Sequence, residues 1–152
     1  MAISYVQPLL LLLASLFFLP AFGGLIDFQY CNKKGYNFGN ITRVEVSPED
    51  TQYLIVQGST SSKSKMLYSE ALELFLRIDK YRFRMARYDD IREVVDAWPL
   101  EPGKDFVLKI YREKYLRFYE NYMSALTLFG NFEDSGKLQQ LICIDFKLPP
   151  PQ

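Results

Sequence analysis

Few side chains in this sequence can do acid–base or covalent chemistry, and their spacing does not favour it. Histidine is absent from all 152 residues. That excludes Ser-His-Asp and Cys-His nucleophile systems, histidine metal sites and the commonest general base. Two cysteines, Cys31 and Cys143, are too few for a four-thiolate zinc site and too far apart for a redox CxxC pair. Carboxylates cluster at Glu70 and Glu73 and at Asp89 and Asp90, but acidic residues adjacent or three apart usually mark a hydrated face. No acid/base motif surrounds them, so neither catalysis nor a metal or cofactor is expected. Lys plus Arg and Asp plus Glu stand at 18 each, so no net field draws the chain to nucleic acid. Binding must come from shape and apolar surface, which 49% hydrophobic and 16% aromatic residues supply.

The elements that would position that surface begin after the N-terminus. Residues Leu9 to Leu19 read LLLLLASLFFL, followed by Pro20 and the small-residue pattern Ala21-Phe22-Gly23. The run is short for a bilayer span and reads as a secretory signal cut near Gly23; an uncleaved anchor is the alternative. The expected organisation is a signal peptide over 1–23 and one domain over 24–152, with every charged side chain beyond residue 23. Asn40-Ile41-Thr42 is an N-glycosylation sequon, in keeping with the secretory route.

Along the domain the apolar period is mostly two. Ile41 to Ser47 alternates and stops at Pro48, and Tyr53 to Val56 is a β-branched-rich run closed by Gly58, followed by a polar loop from Gly58 to Lys65. Leu72, Leu74, Leu76 and Ile78 alternate with Glu73, Arg77 and Asp79; Tyr81, Phe83 and Met85 alternate with Arg82 and Arg84; Ile142, Ile144, Phe146 and Leu148 share one side of the last run. Short strands without intervening helices predict an all-β antiparallel sandwich or barrel. A helical alternative exists at Val107, Tyr111, Tyr115, Phe118 and Tyr122, which recur at three and four, and the composition of Ser69 to Val95 also favours helix.

In an oxidising compartment Cys31 and Cys143 would tie the first strand to the last. That bridge closes a span of 112 residues, worth about 4 to 5 kcal/mol in the chain-entropy model. The alternative is two unpaired thiols, one of them open to an intermolecular bridge.

Four motifs carry a family resemblance. Asp27-Phe28-Gln29-Tyr30-Cys31-Asn32-Lys33-Lys34 and Val44-Glu45-Val46-Ser47-Pro48 resemble the opening of plant members of the ML, or MD-2-related lipid-recognition, family. Pro102-Gly103-Lys104-Asp105-Phe106-Val107-Leu108 is similar to its central motif, and Leu141-Ile142-Cys143-Ile144-Asp145-Phe146 to its final strand. The family includes phosphatidylglycerol/phosphatidylinositol transfer proteins and the Niemann-Pick type C cholesterol carrier. The resemblance implies a secreted immunoglobulin-like sandwich that holds one lipid in a cavity between two sheets, without catalysis. Two features depart from it. Arg92 and Trp98 stand where a second disulfide would fall, and the Tyr- and Arg-rich segment 111–122 replaces an expected Pro/Gly-rich turn between the last two strands.

The inward candidates are Val44, Val46, Ile55, Leu72, Leu74, Leu76, Phe83, Phe106, Leu108, Leu126, Leu128, Ile142, Ile144 and Phe146. On patterning alone each is equally a core residue; lined only by apolar groups, two splayed sheets would leave a dry cavity suited to an acyl chain or sterol. A polar head is expected near Trp98 to Pro102 and Tyr111 to Tyr119, the latter segment being suited to transient contact with a membrane surface. The expected partner is thus a sterol or phospholipid, with no nucleic acid. The protein is expected as a monomer, secreted or in the secretory route, in the extracellular space, the apoplast or the vacuole. The competing readings are a secreted interaction module and a diverged paralogue, both without lipid.

Overall fold

Alternating apolar and polar residues pair as antiparallel strands throughout the computed structural model of the chain, which describes residues 24–64, 69–78, 80–111, 122–131 and 137–148. The strands are β1 (Phe28–Tyr30), β2 (Gly39–Val46), β3 (Tyr53–Thr60), β4 (Ser69–Ile78), β5 (Tyr81–Tyr88), β6 (Asp105–Tyr111), β7 (Met123–Asn131) and β8 (Gln139–Lys147). They form a five-stranded sheet in the order β1-β8-β7-β4-β5 and a three-stranded sheet in the order β2-β3-β6. Packed face to face, the two make an all-β sandwich. Of the helical alternatives, Ser69 to Val95 is resolved against helix, since it forms β4, β5 and only a single 3-10 turn at Ile91–Glu93. Val107 to Tyr111 is likewise strand, while Tyr115 and Phe118 of the same helical spacing fall in 112–121, outside the described residues.

Short segments extend the smaller sheet at both edges. Leu25 bridges to Glu45 beside β2, and Val95 to Leu108 beside β6. The second bridge is fastened by Asp96 N–H to the Val107 carbonyl at 3.0 Å, Val107 N–H to the Asp96 carboxylate at 2.9 Å and Lys109 N–H to the Val94 carbonyl at 2.7 Å. Here Asp90 caps the 3-10 turn, accepting from the Arg92 backbone N–H and its guanidinium. Those hydrogen bonds hold the stretch around Arg92, one of the two positions at which the resemblance implies a second disulfide.

Cys31 and Cys143 are bonded to each other, with their Cα atoms 5.4 Å apart. The bridge ties the end of β1 to β8, beside the pairing of Tyr30 with Ile144. β3 runs through Gly58 to Thr60, longer than the polar composition there suggested. A Cβ at Gly58 would lie 2.6 Å from the Phe106 ring and 2.7 Å from the Asn40 carbonyl oxygen, so glycine is what lets β2, β3 and the Phe106 side chain close together. Residues 112–122 connect β6 to β7, and 132–138 connect β7 to β8. The aromatic-basic stretch is therefore not the link between the last two strands.

Candidate functional site

Register decides which side chains meet between the sheets. On the smaller sheet the inner rungs are Val44, Val56 and Leu108, then Val46, Leu54 and Ile110. On the larger sheet they are Leu72, Leu128 and Ile142; Leu74, Leu126 and Ile144; and Leu76, Ser124 and Phe146. Twelve of the fourteen inward candidates are 0 to 6% exposed: Val44, Val46, Leu72, Leu74, Leu76, Phe106, Leu108, Leu126, Leu128, Ile142, Ile144 and Phe146. The facing surfaces are apolar over several rungs, and the sheets leave these side chains almost no accessible surface.

Two candidates are placed differently. Ile55 pairs with Glu45 and Lys109 on the outer face of the smaller sheet, while its neighbours Leu54 and Val56 point inward at 0% exposure. Phe83 does share the inner face with its partner Leu76, yet it is 52% exposed. It lies toward the end of the larger sheet, next to the rung of Ile78 and Tyr81, which are 39% and 59% exposed. A continuous apolar lane thus runs along β4 and β5 from the buried core to solvent. Core members outside those candidates include Leu54, Val56, Ile110 and Ile91. The first three follow from strand phase once pairing is known; Ile91 sits in the 3-10 turn, where no period marks it.

Trp98 to Pro102 precedes β6 and Tyr111 ends it, so of the two segments expected around a polar head the first and the start of the second stand at opposite ends of that seven-residue strand, about 23 Å long. Residues 112–119 of the second segment lie outside the described residues. Trp98, Thr60, Leu100 and Phe106 line a pocket of about 290 Å³ at one end. A larger cleft of about 1030 Å³, of mixed polar and apolar lining, opens beside the disulfide, with Lys34, Tyr36, Phe38, Arg82, Gln140 and Leu141 among its walls. Within it the Tyr36 hydroxyl accepts from the Gln140 amide at 3.0 Å, and burial raises the Tyr36 phenol above its ordinary value.

The outer face of the larger sheet is held by ion pairs. Glu73 receives Arg84 at 3.2 Å and Arg87 at 3.0 Å, and Asp145 receives Arg77 closely and Arg82 at 4.0 Å. Each of these carboxylates is structurally engaged. Cys31, Cys143 and Asp145 lie together, but both sulfurs are consumed in the disulfide, which leaves no thiolate for a metal. Asn40 is exposed at the start of β2, with its side-chain oxygen accepting from the Ser59 hydroxyl at 2.7 Å. The facing apolar surfaces can exclude water from an apolar molecule.

No family model matches the chain. Over 157 aligned residues it is 30% identical to MD-2-related lipid-recognition protein 3 of Arabidopsis thaliana, covering 99% of this chain and 96% of that relative.

Proposed function

The chain belongs to the MD-2-related lipid-recognition family, and on that premise we propose that it is a secreted carrier and transfer protein holding one lipid, a sterol or a phospholipid, between its two sheets. The observation that carries this reading is the pair of facing apolar surfaces, of which Val56 and Leu108 on one side and Leu74, Leu126 and Ile144 on the other form the middle. Burial of an acyl chain or sterol ring there supplies affinity at about 25 cal/mol per Å² of apolar area, less the cost of association. Members of this family recognise lipid and are not enzymes, in keeping with carboxylates that are engaged in ion pairs and with a chain lacking histidine.

Because the inward side chains are already in contact, loading a lipid requires the sheets to part. The route the proposal favours is the lane ending at Ile78, Tyr81 and Phe83, whose exposed apolar side chains also suit brief contact with a membrane surface. Removal of a signal over residues 1–23, a glycan on Asn40 and residence outside the cell or in the vacuole complete the proposal.

Titration of the mature protein with a fluorescent sterol and a fluorescent phospholipid, at low and high salt, tests it. Saturable binding of one of them is expected, with sterol affinity insensitive to salt because no charged anchor is involved. Folded protein that binds neither would leave an interaction module or a paralogue without lipid.

A further inference from the structure

On the inner face of the larger sheet a polar atom stands among apolar side chains. Ser124 lies on β7 between Leu76 and Phe146, on the same face as Leu126 and Leu128, and is 0% exposed. Among the described residues no hydrogen-bond partner reaches its Oγ. A buried hydroxyl without a partner is costly, and such groups in native proteins call for an explanation. Packing does not supply one, because alanine would fill nearly the same volume without the polar atom.

Its position does. The Ser124 rung is the one before Ile78 and Tyr81, about 7 Å short of the place where the apolar lane reaches solvent. A lipid entering tail first along that lane would leave its polar end at this level. We propose that Ser124 Oγ is the hydrogen-bonding anchor for the neutral hydroxyl of a sterol-type lipid, an inference that rests on the carrier reading above. A serine hydroxyl both donates and accepts, which matches another hydroxyl. A phosphate does not fit, since a buried charge met by one neutral hydroxyl would stay largely uncompensated. The ring system would then lie against Leu74, Leu126 and Ile144.

Thr127 provides an internal control. Its Oγ1 is also buried without a partner among the described residues, but it alternates onto the outer face, where it pairs with Glu73 and Cys143. The experiment is a cycle of protein and ligand variants. Mature wild type, Ser124→Ala and Thr127→Val are titrated with cholesterol, with its 3-deoxy analogue and with phosphatidylcholine, and their thermal midpoints are recorded. Wild type should prefer cholesterol to the deoxy sterol, and Ser124→Ala should lose about 3- to 10-fold for cholesterol alone, the size of one neutral hydrogen bond. Its midpoint should be unchanged or higher, and Thr127→Val should bind as wild type does. Equal losses for both sterols, no loss for cholesterol, or a wild type that favours phosphatidylcholine would overturn the Ser124 assignment while leaving lipid carriage intact. A folded wild type that binds none of the three would instead overturn the carrier reading and the anchor with it.

Discussion

Arg77 on β4 and Asp145 on β8 form an ion pair that reaches across β7, the strand lying between theirs. Asp145 is 2% exposed, and beneath the pair Ala125 stands in register with both Phe75 and Asp145. The short alanine side chain leaves room for the guanidinium to cross. Asp145 also adjoins the disulfide, with its Oδ1 3.5 Å from the Cys31 sulfur.

Arg77→Ala should therefore be costly for a surface arginine. Breaking a buried pair costs about 3 to 5 kcal/mol; with the Arg77 side chain 39% exposed and Arg82 still 4.0 Å from the carboxylate, about 1 to 3 kcal/mol is expected after allowance for solvent screening. Replacing both partners, as Arg77→Met with Asp145→Leu, should cost less than the sum of the single changes. Urea midpoints for the four proteins measure this, and strict additivity would show that the pair is not coupled.

Glu73 and Leu74 are adjacent and opposite. Leu74→Asp buries an unpaired carboxylate against Leu126 and Ala86 and should remove several kcal/mol from a stability of about 5 to 15. Glu73→Ala, which strands look free to tolerate, removes the partner of Arg84 and Arg87. Both arginines keep access to water, so a loss of about 1 kcal/mol is expected. Thermal midpoints that fall equally for the two variants would contradict the assigned faces.

The contrast shows how far the residues could be read in advance. Where polar residues punctuate the run, as Glu73 and Arg77 do in β4, the inward face is evident from alternation alone. Tyr53 to Val56 has no such marker, since all four residues are apolar, and its phase is set only when Ile55 meets Glu45 and Lys109. Alternation puts Phe83 on the same face as Leu76, but its exposure depends on how far one sheet outruns the other, which no local pattern encodes. The partners of Glu73 are likewise a product of register. A bulge opposite Leu74 and Phe75, with Met85 as the extra residue, brings Arg84 and Arg87 onto the same side as Glu73. Ser124 gave no signal at all, because a lone serine between apolar residues reads as an ordinary strand position.

Asp90 should make the 3-10 turn sensitive to acid. Its carboxylate accepts from the Arg92 side chain and from the Arg92 backbone N–H, and those hydrogen bonds hold its pKa below the ordinary value. A carboxylate with a lowered folded value stabilises the fold above the unfolded aspartate range, about 3.9, and that contribution is lost as pH falls through the folded value. The difference in urea midpoint between wild type and Asp90→Asn should thus be constant from neutrality to about pH 5 and shrink at lower pH. If it stays unchanged down to about pH 2, the Asp90 carboxylate is not favoured by folding.

The phase of β3 offers a test of both fold and function. Val56 sits at 0% exposure between Val44 and Leu108, whereas Ile55 lies on the outer face between Glu45 and Lys109. Phenylalanine at position 56 adds a ring to the space between the sheets, which should cost about 1 to 3 kcal/mol through overpacking. The same ring would occupy volume that a lipid needs, so sterol affinity should fall by more than tenfold in protein that remains folded. Phenylalanine at position 55 enlarges a half-buried side chain on the outer face, beside Val94 and Val95, so stability should fall less and affinity should stay near wild type. Equal losses of affinity from the two changes would place the lipid elsewhere than between the sheets. Reversed losses would mean that Ile55, not Val56, faces it.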